Sequence, residues 1–235
     1  MKIQLLGNCS VLLSNANSQI LFDPYFSNWG NPIFKRATPV SERYMDIEKL
    51  DAILLSHTHF DHIDTGFLNK FKGKCDIYAP RWSIKPPTFK SRPVSKGYEF
   101  TVGDFSITAV EAHHLCHTVG YIIKADGLTL YFSGDTYFGS FMKGISEKFD
   151  VDVAMLPVTH YFPPMTMGEV GALQCLKVIE PRYFIPMHQD LVQRFQLSSP
   201  KDSIKNLRQE ITAEKLRTEL VYLNNGESFS VEFKE

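Results

Sequence analysis

Short apolar runs recur along the whole chain, set off by polar, glycine and proline breaks. Lys2–Leu6, Ser10–Leu13 and Gln19–Phe22 predict an opening meander of strands, since runs this short and apolar suit a buried pleated surface. Ala52–Leu55, Asp76–Ala79, Phe100–Val102, Phe105–Val110, Val119–Lys124 and Thr129–Phe132 predict further strands, with Asp126-Gly127 as a hairpin turn. Residues 24–45 and the proline-bearing stretch 80–95 carry little periodicity and predict irregular chain. Helical spacing enters at Ile63–Phe71. It returns after Thr166-Met167-Gly168-Glu169, which matches a capping box and predicts a helix to about Ile179 with Val170, Leu173, Leu176 and Ile179 on related faces. Ser199-Pro200 opens another helix, with Ile204, Leu207 and Ile211 as its buried stripe. Val153–Leu156 and Tyr183–Pro186 predict strands, and Leu220–Leu223 and Phe229–Phe233 predict a closing hairpin through Asn225-Gly226. The layout is α+β: two sheets packed together and covered outside by helices. No repeat, low-complexity tract or linker divides it, so residues 1–235 read as one domain.

Titratable residues break this pattern in one place. His57-Thr58-His59-Phe60-Asp61-His62 puts three imidazoles and a carboxylate into six positions, directly after the apolar stretch Ala52–Leu55. Imidazole nitrogen and carboxylate oxygen are what borderline and hard divalent ions prefer, and no core needs titratable groups at that density. The remaining histidines, His113, His114, His117, His160 and His188, also follow apolar stretches. Asp135 stands where an apolar run enters a Gly-Asp-Thr turn. Taken alone it reads as a turn cap; beside these histidines it becomes a candidate ligand.

Composition narrows the partners. A net charge of −1 and a pI near 6.7 give no electrostatic footprint for nucleic acid or an anionic membrane. No stretch reaches the roughly 18 apolar residues of a membrane span. Cys9, Cys75, Cys116 and Cys175 form no Cys-x-x-Cys pair and read as reduced thiols. With no apolar segment behind a basic start, the expectation is a cytoplasmic protein.

These residues resemble the metallo-β-lactamase-fold hydrolases. His57-Thr58-His59-Phe60-Asp61-His62 matches that family's His-x-His-x-Asp-His signature, Ser133-Gly134-Asp135-Thr136 its aspartate motif, and Ile185-Pro186-Met187-His188 its late histidine. Asp23-Pro24 looks like its early Asp-Pro. Ala112-His113-His114 resembles the branch of the ascorbate-phosphate lactonases and N-acyl-phosphatidylethanolamine phospholipase D. It points to His114 as the ligand, although which of the two adjacent imidazoles serves stays open. The segment Thr159–Met165 departs from the branch, carrying aromatics and prolines where relatives are glycine-rich.

The resemblance implies a four-layer αβ/βα sandwich of two mixed sheets with outer helices. It also implies a binuclear hydrolase that attacks a phosphodiester, lactone or other ester with a metal-bound hydroxide. His57, His59 and His114 would hold one ion, and Asp61, His62 and His188 the other, with Asp135 bridging. Asp61 would also steer the nucleophile, and His160 is the candidate proton donor. The nitrogen-rich set favours zinc, with manganese and iron as alternatives. The expected partner is a small molecule, and an anionic one suits a site that the ions leave positive. A non-hydrolytic metal-binding or iron redox protein is the alternative, and a nuclease a weaker one.

Overall fold

The computed structural model of the chain describes residues 1–27, 32–81, 90–159, 161–195 and 200–232. In chain order the strands are β1 (Lys2–Gly7), β2 (Ser10–Ser14), β3 (Gln19–Phe22), β4 (Phe34–Arg36), β5 (Ala52–Leu54), β6 (Asp76–Pro80), β7 (Arg92–Val94), β8 (Glu99–Val102), β9 (Phe105–Glu111), β10 (Val119–Ala125), β11 (Leu128–Phe132), β12 (Val153–Pro157), β13 (Tyr183–Met187), β14 (Leu191–Gln193), β15 (Glu219–Leu220) and β16 (Ser228–Ser230). The helices are α1 (Thr65–Lys70), α2 (Phe141–Ser146), α3 (Gly168–Ile179) and α4 (Pro200–Ala213).

Among the described residues two mixed seven-stranded sheets form, in the orders β16-β1-β2-β3-β5-β6-β7 and β15-β13-β12-β11-β10-β9-β8. Residues alternate between two cores because successive side chains of a strand point to opposite faces. Ile20, Phe22, Ala52 and Leu54 of the first sheet meet Leu130, Phe132, Val153 and Met155 of the second in the central layer. Leu21, Ile53 and Leu55 instead face α1, and Tyr131, Ala154 and Phe184 face α2, α3 and α4. Sheets buried on both faces explain why these strands read as continuous apolar runs. The result is the four-layer sandwich of the metallo-β-lactamase fold.

Four sequence expectations are corrected. The last two strands do not pair: β15 lies beside β13 in the second sheet, and β16 beside β1 in the first. The chain crosses between the sheets there, burying Leu223 and Val231 in the central core. Thr166 does not cap α3; its hydroxyl donates to the Thr159 carbonyl, and the cap residue is Met167. Val170 is exposed, and α3 buries Ala172, Cys175, Leu176 and Ile179. Within 24–45, part of the irregular chain is ordered: β4 pairs with β14 as a separate ribbon, and a 3-10 turn spans Glu42–Asp46.

The ends of β5, β9, β11 and β13 carry the candidate ligands, and the end of β3 carries Asp23. The parallel ladder β3-β5 brings Asp23 beside the segment after β5. Gly134, after β11, has φ +56, and a Cβ there would lie 2.4 Å from the Ser56 Cβ. Only glycine permits both that backbone and that approach of the two loops.

Candidate metal centre

The 57–62 segment is organised by one carboxylate outside it. Asp23 Oδ1 accepts from the Ser56 backbone N–H at 2.6 Å, and Oδ2 from the Ser56 hydroxyl at 2.6 Å. Oδ2 also accepts from His62 Nδ1 at 2.8 Å. With its proton committed to Asp23, the Ser56 oxygen accepts from His57 Nδ1 at 2.9 Å. In their neutral form both imidazoles are thereby held as the Nδ1–H tautomer, with Nε2 free for a cation.

His188 is set in the same way by a different partner. It has φ +61, and its backbone N–H donates to Asn8 O. The Tyr161 hydroxyl donates to Leu191 O at 2.7 Å, so its oxygen accepts from His188 Nδ1 at 3.0 Å. Nε2 of His57, His62 and His188 are all buried without a hydrogen-bond partner. Three orphaned nitrogens in one place are a cost unless a cation satisfies them.

Asp135 lies at their centre. Its Oδ2 is 3.3 Å from His188 Nε2, 3.4 Å from His62 Nε2, 3.8 Å from His114 Nε2 and 3.9 Å from His57 Nε2. Asp61 Oδ2 is 3.2 Å from His188 Nε2 and 3.8 Å from His62 Nε2. His59 Nδ1 and His114 Nε2 lie 3.0 Å apart. Among the described residues the donors form two adjacent clusters, one of His57, His59, His114 and Cys116, the other of Cys9, His62, Asp135 and His188, with Asp23, His57 and His62 grouped between them. Within each, the donor atoms lie within 4.8 Å of one another. The residues present fit a pair of divalent ions.

The structure therefore brings together His57, His59, Asp61, His62, His114, Asp135 and His188. It resolves the adjacent pair: His113 is exposed and contacts Glu111, whereas His114 faces the cluster. His117 is exposed, and His160 lies outside the described residues. Sequence reasoning missed Tyr161 as the partner of His188 and Cys9 as a neighbour of the second cluster. It noted Asp23 only as a motif residue.

Charge divides the histidines. Burial pushes His57 well below imidazole's usual range, with His62 adding to the effect, and burial takes His114 down to about 4. Burial alone would also lower His188, but Asp135 and Asp61 outweigh it and hold the group up at about 9. His62 is likewise raised well above 6.5, burial being overcome by Asp135, Asp61 and Asp23. Without bound cations, His62 and His188 thus supply the positive charge that balances the carboxylates. A group raised from 6.5 to about 9 contributes stability that is complete below pH 6.5 and lost as pH rises toward 9. Thermal denaturation in a chelator is expected to show Tm falling across that window, while the metal-loaded protein changes less. A chelated-protein Tm that rises there would contradict this charge assignment.

Above the cluster is a cavity of about 230 Å³. Phe34, Phe60, Leu115, Tyr161, Met165 and Leu191 form its apolar wall, and His59, Asp61, His114, Asp135 and His188 its polar floor. Phe162 is 82% exposed and is not part of this wall.

Comparison with known proteins follows the same outline. Residues 18–189 match the family described as Beta-lactamase superfamily domain. A protein of Pyrococcus furiosus called a UPF0173 metal-dependent hydrolase is 32% identical over 200 residues, covering 80% of this chain and 84% of that one. The solved structure of a metallo hydrolase from Ignicoccus hospitalis superposes with TM-score 0.77 at 22% identity, covering 99% of each chain. An isothiocyanate hydrolase from Delia radicum gut bacteria gives TM-score 0.77 at 21% identity, again covering 99% of each. At such identities the two structures speak for the fold.

Proposed function

The chain belongs to the Beta-lactamase superfamily domain family and is a metal-dependent hydrolase of that superfamily; from this premise we propose that it uses two divalent ions to hydrolyse a small, mainly apolar ester or lactone. The observation that carries the two-ion reading is Asp135 Oδ2, within 3.9 Å of four imidazole nitrogens. His57, His59 and His114 would hold one ion and Asp61, His62 and His188 the other, with Asp135 between. When bound, such a pair supplies Lewis acidity that polarises a carbonyl and makes water acidic near neutral pH. Zinc suits the nitrogen-rich donor set best, ahead of manganese or iron.

The chain's own residues do the rest. Asp61 lines the cavity and sits beside His188, so its carboxylate orients the attacking water and accepts its proton. The apolar wall excludes bulk water and receives the substrate's hydrocarbon part. No lysine or arginine lines the cavity among the described residues, which favours a neutral acyl compound over a phosphodiester. The solved isothiocyanate hydrolase acts, by its name, on a small uncharged electrophile.

The test is a screen of the zinc-loaded protein against lactones, short esters and phosphodiesters, with His59→Ala beside it. Turnover of neutral acyl substrates, reduced at least about a hundredfold in the variant, is expected. Equal activity of variant and wild type would defeat the assignment, and turnover confined to phosphodiesters would overturn the substrate class.

A further inference from the structure

Cys9 lies in the turn between β1 and β2, far in sequence from every candidate ligand. The turn is pinned on two sides. Asn8 N–H donates to Asp190 Oδ2 at 2.7 Å, and the Asn8 carbonyl accepts from His188 N–H at 3.1 Å. On the other side the Ser10 hydroxyl donates to the Asp23 carbonyl at 2.8 Å and accepts from Tyr25 N–H at 2.8 Å. The residue between these anchors is therefore held against both the His188 loop and the Asp23 loop. Asn8 itself has φ +50, the tight bend that aims the turn inward.

The outcome is a fully buried thiol whose sulfur lies within 4.8 Å of donor atoms of His62, Asp135 and His188. Donors across one ion can be no more than about 4.6 Å apart, given bonds of roughly 2.0–2.3 Å. The four therefore lie close enough together to be drawn onto one ion. Two of the partners, His62 Nε2 and His188 Nε2, are buried and unpartnered. Cys9 belongs to the central apolar core and is not among the residues that line the cavity, whereas Asp61 is. Cys116 is placed differently. It is half-buried, and its sulfur is hydrogen-bonded to the Thr58 backbone.

We propose that Cys9 is a ligand to the second ion, binding it from the core floor of the site through sulfur. This rests on the two-ion reading above. As the sulfur–metal bond forms, the S–H proton passes to solvent. The two positions then differ in kind: one is all imidazole apart from the bridging carboxylate, while the other carries a soft sulfur donor. That donor selects zinc or cobalt over manganese and magnesium at the second position.

The experiment loads the protein with cobalt(II) alone and reads cobalt per chain together with the near-ultraviolet sulfur-to-cobalt charge-transfer band. Two cobalt per chain and a band that is lost in Cys9→Ser but kept in Cys116→Ser are expected. Competition between zinc and manganese should shift against zinc by at least about tenfold in Cys9→Ser, the loss seen for even a supporting partner. Two cobalt with no sulfur band, or a band that survives Cys9→Ser, would overturn the proposal and leave the two-ion reading standing. Failure to bind cobalt at all would overturn both. Should Cys9→Ser not fold, zinc-edge X-ray absorption of wild type and Cys116→Ser decides. One sulfur for every two zinc, at about 2.3 Å, supports the assignment, and a shell without sulfur ends it.

Discussion

Replacing Asp135 by asparagine is expected to abolish retention of both ions and to cut hydrolysis by more than about a thousandfold. Asparagine keeps the volume of the side chain, so packing around Gly134 and Thr136 is preserved and the change is one of charge. That charge is shared: one oxygen of Asp135 serves imidazoles from the segment after β5, from His114 and from His188. A single lost electrostatic contact in a dry site costs roughly 10²–10³-fold in rate. Losing the group that approaches imidazoles of both clusters exceeds that, because neither ion keeps its full set of anions. Metal analysis after dialysis and turnover of an acyl substrate measure the effect. A variant that keeps two ions would show that Asp135 is peripheral.

The same variant carries a second readout that needs no metal. Asp135 is the largest influence raising His188 and His62 against burial. With the charge gone, both groups fall toward neutrality, and the decline of metal-free stability between pH 6.5 and about 9 is expected to flatten. Loss of ions with an unchanged pH profile would mean that Asp61 and Asp23 suffice to hold those protons.

What the sequence made legible follows from which signals are local. The 57–62 run, Asp135 and His188 stand out because their side chains are chemically unusual next to apolar strands. The strands stand out because burial on both faces leaves unbroken apolar runs. The closing hairpin was misplaced because the same alternation suits pairing with β13 or with β1, and only the crossing that buries Leu223 and Val231 decides. The capping-box pattern failed because the Thr166 hydroxyl finds a carbonyl across its own loop. Tyr161 and Cys9 are ordinary residues whose roles exist only through distant contacts, 27 positions away in the case of Tyr161 and His188.

Asp23 tests how far ligand geometry depends on residues that touch no ion. Its carboxylate is an acceptor three times over, for Ser56 N–H, Ser56 O–H and His62 Nδ1–H. An asparagine in its place must turn an N–H₂ toward at least one of those donors. The hydrogen bond lost there is charge-assisted and buried, and the donor is left unpaired. If the amide faces Ser56 O–H and His62, the serine proton is released and can turn toward His57 Nδ1. His57 and His62 are then both free to carry their proton on Nε2, pointing it at the ions. Because His57 belongs to one cluster and His62 to the other, Asp23→Asn is expected to weaken both binding steps by about 10–100-fold each. Tyr161→Phe removes the acceptor for His188 Nδ1 and the donor to the Leu191 carbonyl but touches no residue of the other cluster, so it should weaken one step and spare the other. Chelator competition that follows each step separately distinguishes them. Equal effects from the two variants, or an Asp23→Asn protein that loses a single step, would show that the tautomer of His57 is not set through Ser56.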